Sequence, residues 1–246
     1  MTFPERFTKS GTRLLLWARA HKIKSVIVLL GAWLFIEIMT LPFGAVSRLK
    51  TVNPTETAFM REHAERAKEE GKPFKRMQRW ISLGRISKDA VNAVIVAEDG
   101  TFWSHGGFDW FEFKESIEKN IREGRAARGA STITQQLVKN LFLSSSKNPL
   151  RKVREWILTW YTEQSLSKSR ILELYLNLIE WGRGIYGIEA ASQHYFGKSA
   201  SELNRDEAAR LAAIIPSPRR FRADQASRYV ARRSRIILER LTARGL

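Results

Sequence analysis

From Ser25 to Val46 the chain reads SVIVLLGAWLFIEIMTLPFGAV, 22 residues with a single charge. At 1.5 Å per residue a helix of that length crosses a hydrocarbon core of about 30 Å. The pattern predicts a transmembrane helix over 25–46. A cleaved signal peptide is the competing reading, but its apolar stretch would run about 7–15 residues and end at a small-residue cleavage site. The ending Phe43-Gly44-Ala45-Val46 has no clean site of that kind. Beyond it the apolar positions recur with helical spacing. Residues 55–71, TETAFMREHAERAKEEG, are polar and helix-forming, which predicts a stalk over 47–79. Ser87 can cap KDAVNAVIVAED, whose apolar positions 90, 91, 94, 95 and 97 predict burial on most sides. Further helices are expected at 109–124, 132–143, 149–165, 168–179, 184–195, 205–214 and 224–243, with Gly or Pro at most junctions. No run alternates convincingly with period two, so the fold class is all-α, with one folded domain over 80–246.

Charge sets the topology. Arg6, Lys9, Arg13, Arg19, Lys22 and Lys24 precede the apolar run against one acid, Glu5, and basic flanks stay cytoplasmic. Residues 1–24 are therefore a cytoplasmic tail and the bulk of the chain is exported. Glu37, a carboxylate within the span, costs about 2.5–3.5 kcal/mol on insertion scales; it either sits near the outer interface or meets a helix partner. Of the net +17, residues 1–46 hold six basic and two acidic groups, so +13 belongs to the exported part. Its anionic partners are then lipid headgroups, pyrophosphates or wall polymers rather than nucleic acid, unless the charge is simply a solvated surface. The chain has no cysteine, which excludes disulfides, thiolate metal sites and cysteine nucleophiles.

Three stretches could carry chemistry. Glu98-Asp99 ends the strongly apolar helix just before Gly100. An apolar wall raises a carboxyl pKa toward the value a general acid or base needs; the bland alternative is a solvated helix end. His105 and Asp109 follow and could order the loop by hydrogen bonds, whereas one His with scattered carboxylates is a poor metal pattern. In GASTITQQLVKN, Ser131-Thr132 can cap a helix and leave its first N–H groups open to an anion. Ser131, Gln135 and Lys139 then line one face while Ile133, Leu137 and Leu141 line the other, unless this is a plain amphipathic surface helix. In RKVREWILTWYTEQ, Arg151 and Glu155 are either an ordinary i,i+4 pair or part of a cleft. In the cleft reading Glu155 faces Glu98, with Lys139, Lys147, Arg151 and Lys152 forming a clamp for a diphosphate. Trp103, Phe108, Trp110, Phe111 and Phe113 stand between the first two stretches, as core or as a lobe dipping into a membrane interface.

These residues resemble the signatures of the family-51 glycosyltransferases, the peptidoglycan glycosyltransferases. The first is Glu98-Asp99-x-x-Phe102-x-x-His105-x-Gly107-x-Asp109, the second runs from Gly129 to Asn140, and the third is Arg151-Lys152-x-x-Glu155. Two more follow, Ile171 to Asn177 through Tyr195-Phe196-Gly197-Lys198, and Glu207-Ala208-Ala209-x-Leu211-Ala212 with Pro216 and Pro218. With no room after Leu246 for a penicillin-binding transpeptidase domain, the resemblance is to the monofunctional transglycosylases. It implies a lysozyme-like, mainly helical fold with a smaller membrane-associated lobe, and a glycosyltransferase domain over 80–246 at the periplasmic face of a bacterial inner membrane. It implies lipid II and the growing glycan strand as substrates, and other cell-wall synthesis and division proteins as partners. Glu98 matches the base that deprotonates the acceptor 4-hydroxyl, and Glu155 a second catalytic glutamate with a supporting role near the diphosphate or the metal. Lys139 and Lys147 match phosphate contacts. Ser131, Gln135 and Gln136 match cleft-lining positions, and Arg151, Lys152 and Asp99 are expected at the substrate. The resemblance also implies a divalent cation, Mg2+ or Mn2+, without a ligand motif for it, and no organic cofactor. Gly100, Arg128 and Ala130 depart from the family pattern, which often has Arg, Gln and a second Gly there.

Two other functions compete with polymerisation. A lysozyme-like enzyme that cuts glycan strands would keep an acidic residue but has no use for the cations around a diphosphate. A membrane-anchored scaffold that recruits wall-synthesis proteins would need neither.

Overall fold

The computed structural model describes residues 21–124, 131–146, 148–225 and 227–246. Arg6, Lys9, Arg13, Arg19, Arg128, Gly129, Ala130 and Lys147 lie outside the described residues. The chain divides into two units, 1–41 and 42–246.

In the first unit, helix α1 (Lys22–Met39) is apolar around its whole circumference. The stretch from Lys22 to Arg48 contains 18 residues of mean hydropathy 2.2 and is long and apolar enough to cross a membrane. The α-helical ladder ends at Thr40, whose hydroxyl donates back to the Glu37 carbonyl, and Pro42 follows.

The second unit begins with the short helix α2 (Phe43–Arg48) and α3 (Ala58–Glu69), whose Thr57 cap accepts the Met60 N–H. Strand β1 (Met77–Gln78) leads to the core helix α4 (Lys88–Glu98), capped by Ser87 as its sequence predicts. Helices α5 (Trp110–Glu123), α6 (Ile133–Phe142), α7 (Pro149–Ser165) and α8 (Lys168–Leu178) follow. The chain then forms β2 (Glu180–Gly182), β3 (Ile185–Tyr186), α9 (Ile188–Phe196), α10 (Arg205–Ile214) and α11 (Arg228–Ala243).

Helix α4 is the centre of the core. Ala90, Ala93, Val94, Ile95 and Val96 are buried, and α10 and α11 pack on it. Each fully buried Val or Ile contributes about 1.5–3 kcal/mol, so a charge at Val94 would unfold the helix from its neighbours. Helix α6 buries Ile133, Leu137 and Leu141 against α7 and α8, the face its spacing predicts.

The mainly helical class holds, with two differences from the sequence pattern. A small three-stranded sheet in the order β1-β3-β2 exists, β1 parallel and β2 antiparallel to β3. It takes the place of the helix start expected at 184. Gly187, at φ +83°, turns the chain so tightly that a Cβ there would stand 2.8 Å from the Asn177 carbonyl oxygen, and α9 begins only after it.

The segment 47–79, expected as a stalk, belongs to the same compact unit as the residues after it. The Arg170 guanidinium donates to the Leu49 and Val52 carbonyls at 2.8 and 3.1 Å and to Asn53 Oδ1 at 2.7 Å. On α3, Met60 is buried and His63 Nδ1 lies 2.9 Å from the Tyr186 hydroxyl. Polar composition hid these ties, because they are hydrogen bonds rather than apolar contacts.

Candidate active site

Glu98 is the last residue of α4, so the helix that fills the core delivers a carboxylate to its own end. The side chain is 9% exposed. One oxygen accepts Gln136 Nε2 at 3.0 Å and the other accepts Arg233 Nη2 at 3.2 Å. Burial pushes its pKa up; the Gln136 hydrogen bond and the Arg233 charge oppose this only in part. Gln136 is in turn fixed from the far side, where its Oε1 accepts the hydroxyl of the fully buried Tyr175 at 2.8 Å. Arg233 comes from α11, beyond all five signatures. No motif announced it, although the density of arginines in RYVARRSR was visible. Its Nε is buried with no partner among the described residues.

Asp99 has a different role from its neighbour. It is buried, one oxygen accepting the Ile133 N–H at 2.9 Å and the other facing His105 Nε2 at 2.8 Å. His105 Nδ1 accepts the Gly107 N–H, which fixes the ring with its proton on Nε2. At Asp99, where a substrate contact is expected, one oxygen caps α6 and the other orders the loop through His105. The open helix N-terminus is thereby corrected. Asp99 takes the Ile133 N–H, and Thr132 takes the Gln135 N–H in a capping box that Gln135 completes by accepting the Thr132 N–H. Gln135 is accordingly buried and serves the helix end, while Ser131 is exposed.

Asp99, His105 and Asp109 bring one ligand atom each within 4.8 Å of one another. The group does not fit Mg2+ or Mn2+. Such ions seek oxygen ligands in a near-octahedral shell, whereas His105 offers nitrogens that are both engaged. The Asp99 oxygens are taken, and Asp109 accepts the Glu112 N–H at 2.8 Å and the Thr101 hydroxyl.

On α7, Glu155 is 2% exposed and is gripped by Arg151 Nη1 at 2.7 Å and Lys152 Nζ at 2.5 Å. The i,i+4 pair therefore exists, but buried. Farther along the same face Glu163 accepts Thr134 Oγ1 at 2.5 Å and Lys168 Nζ at 2.9 Å, tying α7 to α6. Lys139, one turn beyond Gln136 on α6, is half-buried and forms no ion pair among the described residues. Desolvation holds its pKa below the usual lysine value, with the nearby Arg151 charge adding to the effect.

Two cavities border α6, and neither is lined by Glu98, Glu155 or Lys139. One of about 410 Å3 is walled by Gln136, Asn140, Phe59, His63, Arg219 and Arg220, among others. A second of about 260 Å3 meets Ser131, Gln135 and Lys152 together with Phe108, Trp110, Phe113, Ile117 and Trp156. Trp110 and Phe111 are 66% and 72% exposed, with Ile121 on α5 and Trp160 on α7 also exposed. Core packing does not account for these aromatics.

A buried carboxylate of raised pKa, held by an amide and one guanidinium at the end of a core helix, is the group that an enzyme working by proton transfer needs. Comparison with known proteins places that class. Residues 65–242 match the model of the transglycosylase family, and the chain belongs to that family. It is 44% identical to the biosynthetic peptidoglycan transglycosylase of Janthinobacterium sp. (strain Marseille) over 79% of this chain and 84% of that one. It is 42% identical to the protein of that name from Methylobacillus flagellatus over 88% and 91%, and 41% identical to that of Burkholderia lata over 97% and 94%.

Proposed function

We infer that the chain is a peptidoglycan glycosyltransferase of cell-wall synthesis that polymerises lipid II, inverting the donor's anomeric carbon and releasing undecaprenyl pyrophosphate. The observation that carries the reading is the Glu98 carboxylate: buried, of raised pKa, and held from both sides, by Arg233 and by Gln136, which lies one helical turn before Lys139 on α6. In its ionised form Glu98 takes the proton of the acceptor 4-hydroxyl as that oxygen forms the bond to the donor's C1. The C1–O bond to the diphosphate breaks, and the departing charge falls on the cations. Lys139, Arg151 and Lys152 are assigned to that charge, and Lys147 with them by resemblance. A single displacement needs no second carboxylate as nucleophile, which suits Glu155, both of whose oxygens are engaged by cations. Gln136 orients the base, and Ser131 lines the smaller cavity, whose mix of aromatic rings and Lys152 suits a lipid-linked diphosphate. The divalent cation implied by the resemblance is assigned no ligands and no step.

The basic residues before α1 support an N-terminus in the cytoplasm and the folded unit in the periplasm, anchored to the inner membrane. The exposed aromatics of α5 and α7 support contact of that lobe with the bilayer interface. Other wall-synthesis and division proteins remain partners by resemblance alone.

Incubation with labelled lipid II tests the reading. Polymer together with free undecaprenyl pyrophosphate is expected. Breakdown of preformed glycan would assign a hydrolase instead, and neither product would leave a scaffold.

A further inference from the structure

Helix α3 reads as a polar stalk, yet it stands against α6, and Phe59, Glu62 and His63 share one of its faces at i, i+3 and i+4. All three precede the residues matched by the family model. The Lys139 ammonium lies over the Phe59 ring, 5.3 Å from its centroid. Glu62 accepts the Ser145 N–H at 2.9 Å and also the Ser145 hydroxyl. The next carbonyl, of Ser146, accepts Arg151 Nε at 2.7 Å, and Arg151 in turn grips Glu155. His63 ties the helix to the sheet through Tyr186 and, with Phe59, walls the larger cavity.

The chemistry of this arrangement is specific. A carboxylate partner, as Glu155 is for Arg151, would fix Lys139 but offset part of its charge. An aromatic face attracts an ammonium through its quadrupole and leaves the net charge in place. Glu62, ion-paired with Arg66 one turn on at 3.0 Å, also accepts a backbone N–H and a hydroxyl of the loop before α7, and so acts on the direction of Arg151 without touching it.

We propose that α3 is a positioning wall of the active site: Phe59 seats Lys139, and Glu62 holds the loop that aims Arg151, so both cations meet the donor diphosphate already oriented. Phe59 and Glu62 are positioning residues, and their role rests on the assignment of Lys139 and Arg151 to the diphosphate.

The test uses the full chain in detergent, with inorganic pyrophosphate as inhibitor of lipid II polymerisation. Lys139→Ala should weaken inhibition by about 10–100-fold, the loss of a charge-assisted contact. Phe59→Leu, which keeps apolar volume but removes the π face, should weaken it about threefold to tenfold and raise KM more than it lowers kcat. Phe59→Trp should restore it. In a Lys139→Ala background Phe59→Leu should add nothing, a result that a merely structural role for Phe59 would not give. Glu62→Gln should weaken inhibition about threefold and carries the test should Phe59→Leu fail to fold. Wild-type inhibition constants in folded Phe59→Leu or Glu62→Gln, with Lys139→Ala still weakened, would overturn the wall while sparing the active-site assignment. Wild-type inhibition in Lys139→Ala would remove the assignment and the wall together.

Discussion

Two buried glutamates of this molecule, one at the end of α4 and one within α7, are held in opposite ways. Glu155 accepts two cations from its own helix at 2.5 and 2.7 Å, so both oxygens are spent. Glu98 meets a single cation, at 3.2 Å from a distant helix, and a neutral amide at 3.0 Å. The first arrangement stabilises a charge and aims its partners. The second leaves burial the dominant influence, and the carboxyl pKa rises. A base must be able to accept a proton, and the loosely compensated Glu98, with its raised pKa, is suited to do so. Proximity to substrate would not separate the two; the strength of their compensation does.

The sharpest way to break this contrast is Glu98→Gln. The amide keeps the shape and cannot take the proton, so kcat should fall by about 10^3-fold. The raised pKa also fixes the sign for stability. Between the ordinary carboxylate value and its folded one, Glu98 binds more protons folded than unfolded, so stability falls as pH rises through that window. Removing the charge should therefore leave Tm at neutral pH unchanged or higher, as measured by calorimetry. An inactive variant that also melts early would place Glu98 in the scaffold instead.

Glu155→Gln should do the reverse. Arg151 and Lys152 lose their counter-charge while remaining partly accessible to water, at 19% and 37%. The cost is thus below that of a fully buried broken pair, about 1–3 kcal/mol, and Tm should drop by several degrees. Activity should fall through KM for lipid II rather than kcat. A stable variant with kcat as low as that of Glu98→Gln would make Glu155 a participant in proton transfer.

Much of this site was legible in the chain. Ser87 and Thr132 announced their helix starts, and the apolar run through Val96 announced that Glu98 would emerge from a core. Side-chain hydrogen bonds were not legible. Gln135 and Asp99 fall on signature positions, and only coordinates reveal that their oxygens close the N-terminus of α6. The strands of two and three residues are too short for alternation to register, and β1 pairs with a partner more than a hundred residues on. Gly100, a departure from the family pattern, meets the movable end of a side chain rather than backbone. A Cβ there would stand 2.6 Å from Arg244 Nη2, whose guanidinium donates to the Gly100 carbonyl at 2.7 Å. Arg233 was beyond reach because a salt bridge between Glu98 and the last helix depends on how α4, α10 and α11 pack.

That last residue gives the finest resolution of the contrast. The Arg233 guanidinium favours the ionised form of Glu98 and so limits how far burial can raise its pKa. Activity requires the ionised base, so kcat/KM should decline as pH falls through the Glu98 pKa. Arg233→Ala removes the opposing charge, and the acid limb should move to higher pH by about one unit, with activity recovering above it. Arg233→Lys should return most of the shift, since a charge suffices even where the guanidinium geometry is lost. Loss of activity by the same factor at every pH would mean that Arg233 holds α11 against α4 and does not tune the base. In that case desolvation and Gln136 alone would set the proton affinity of Glu98.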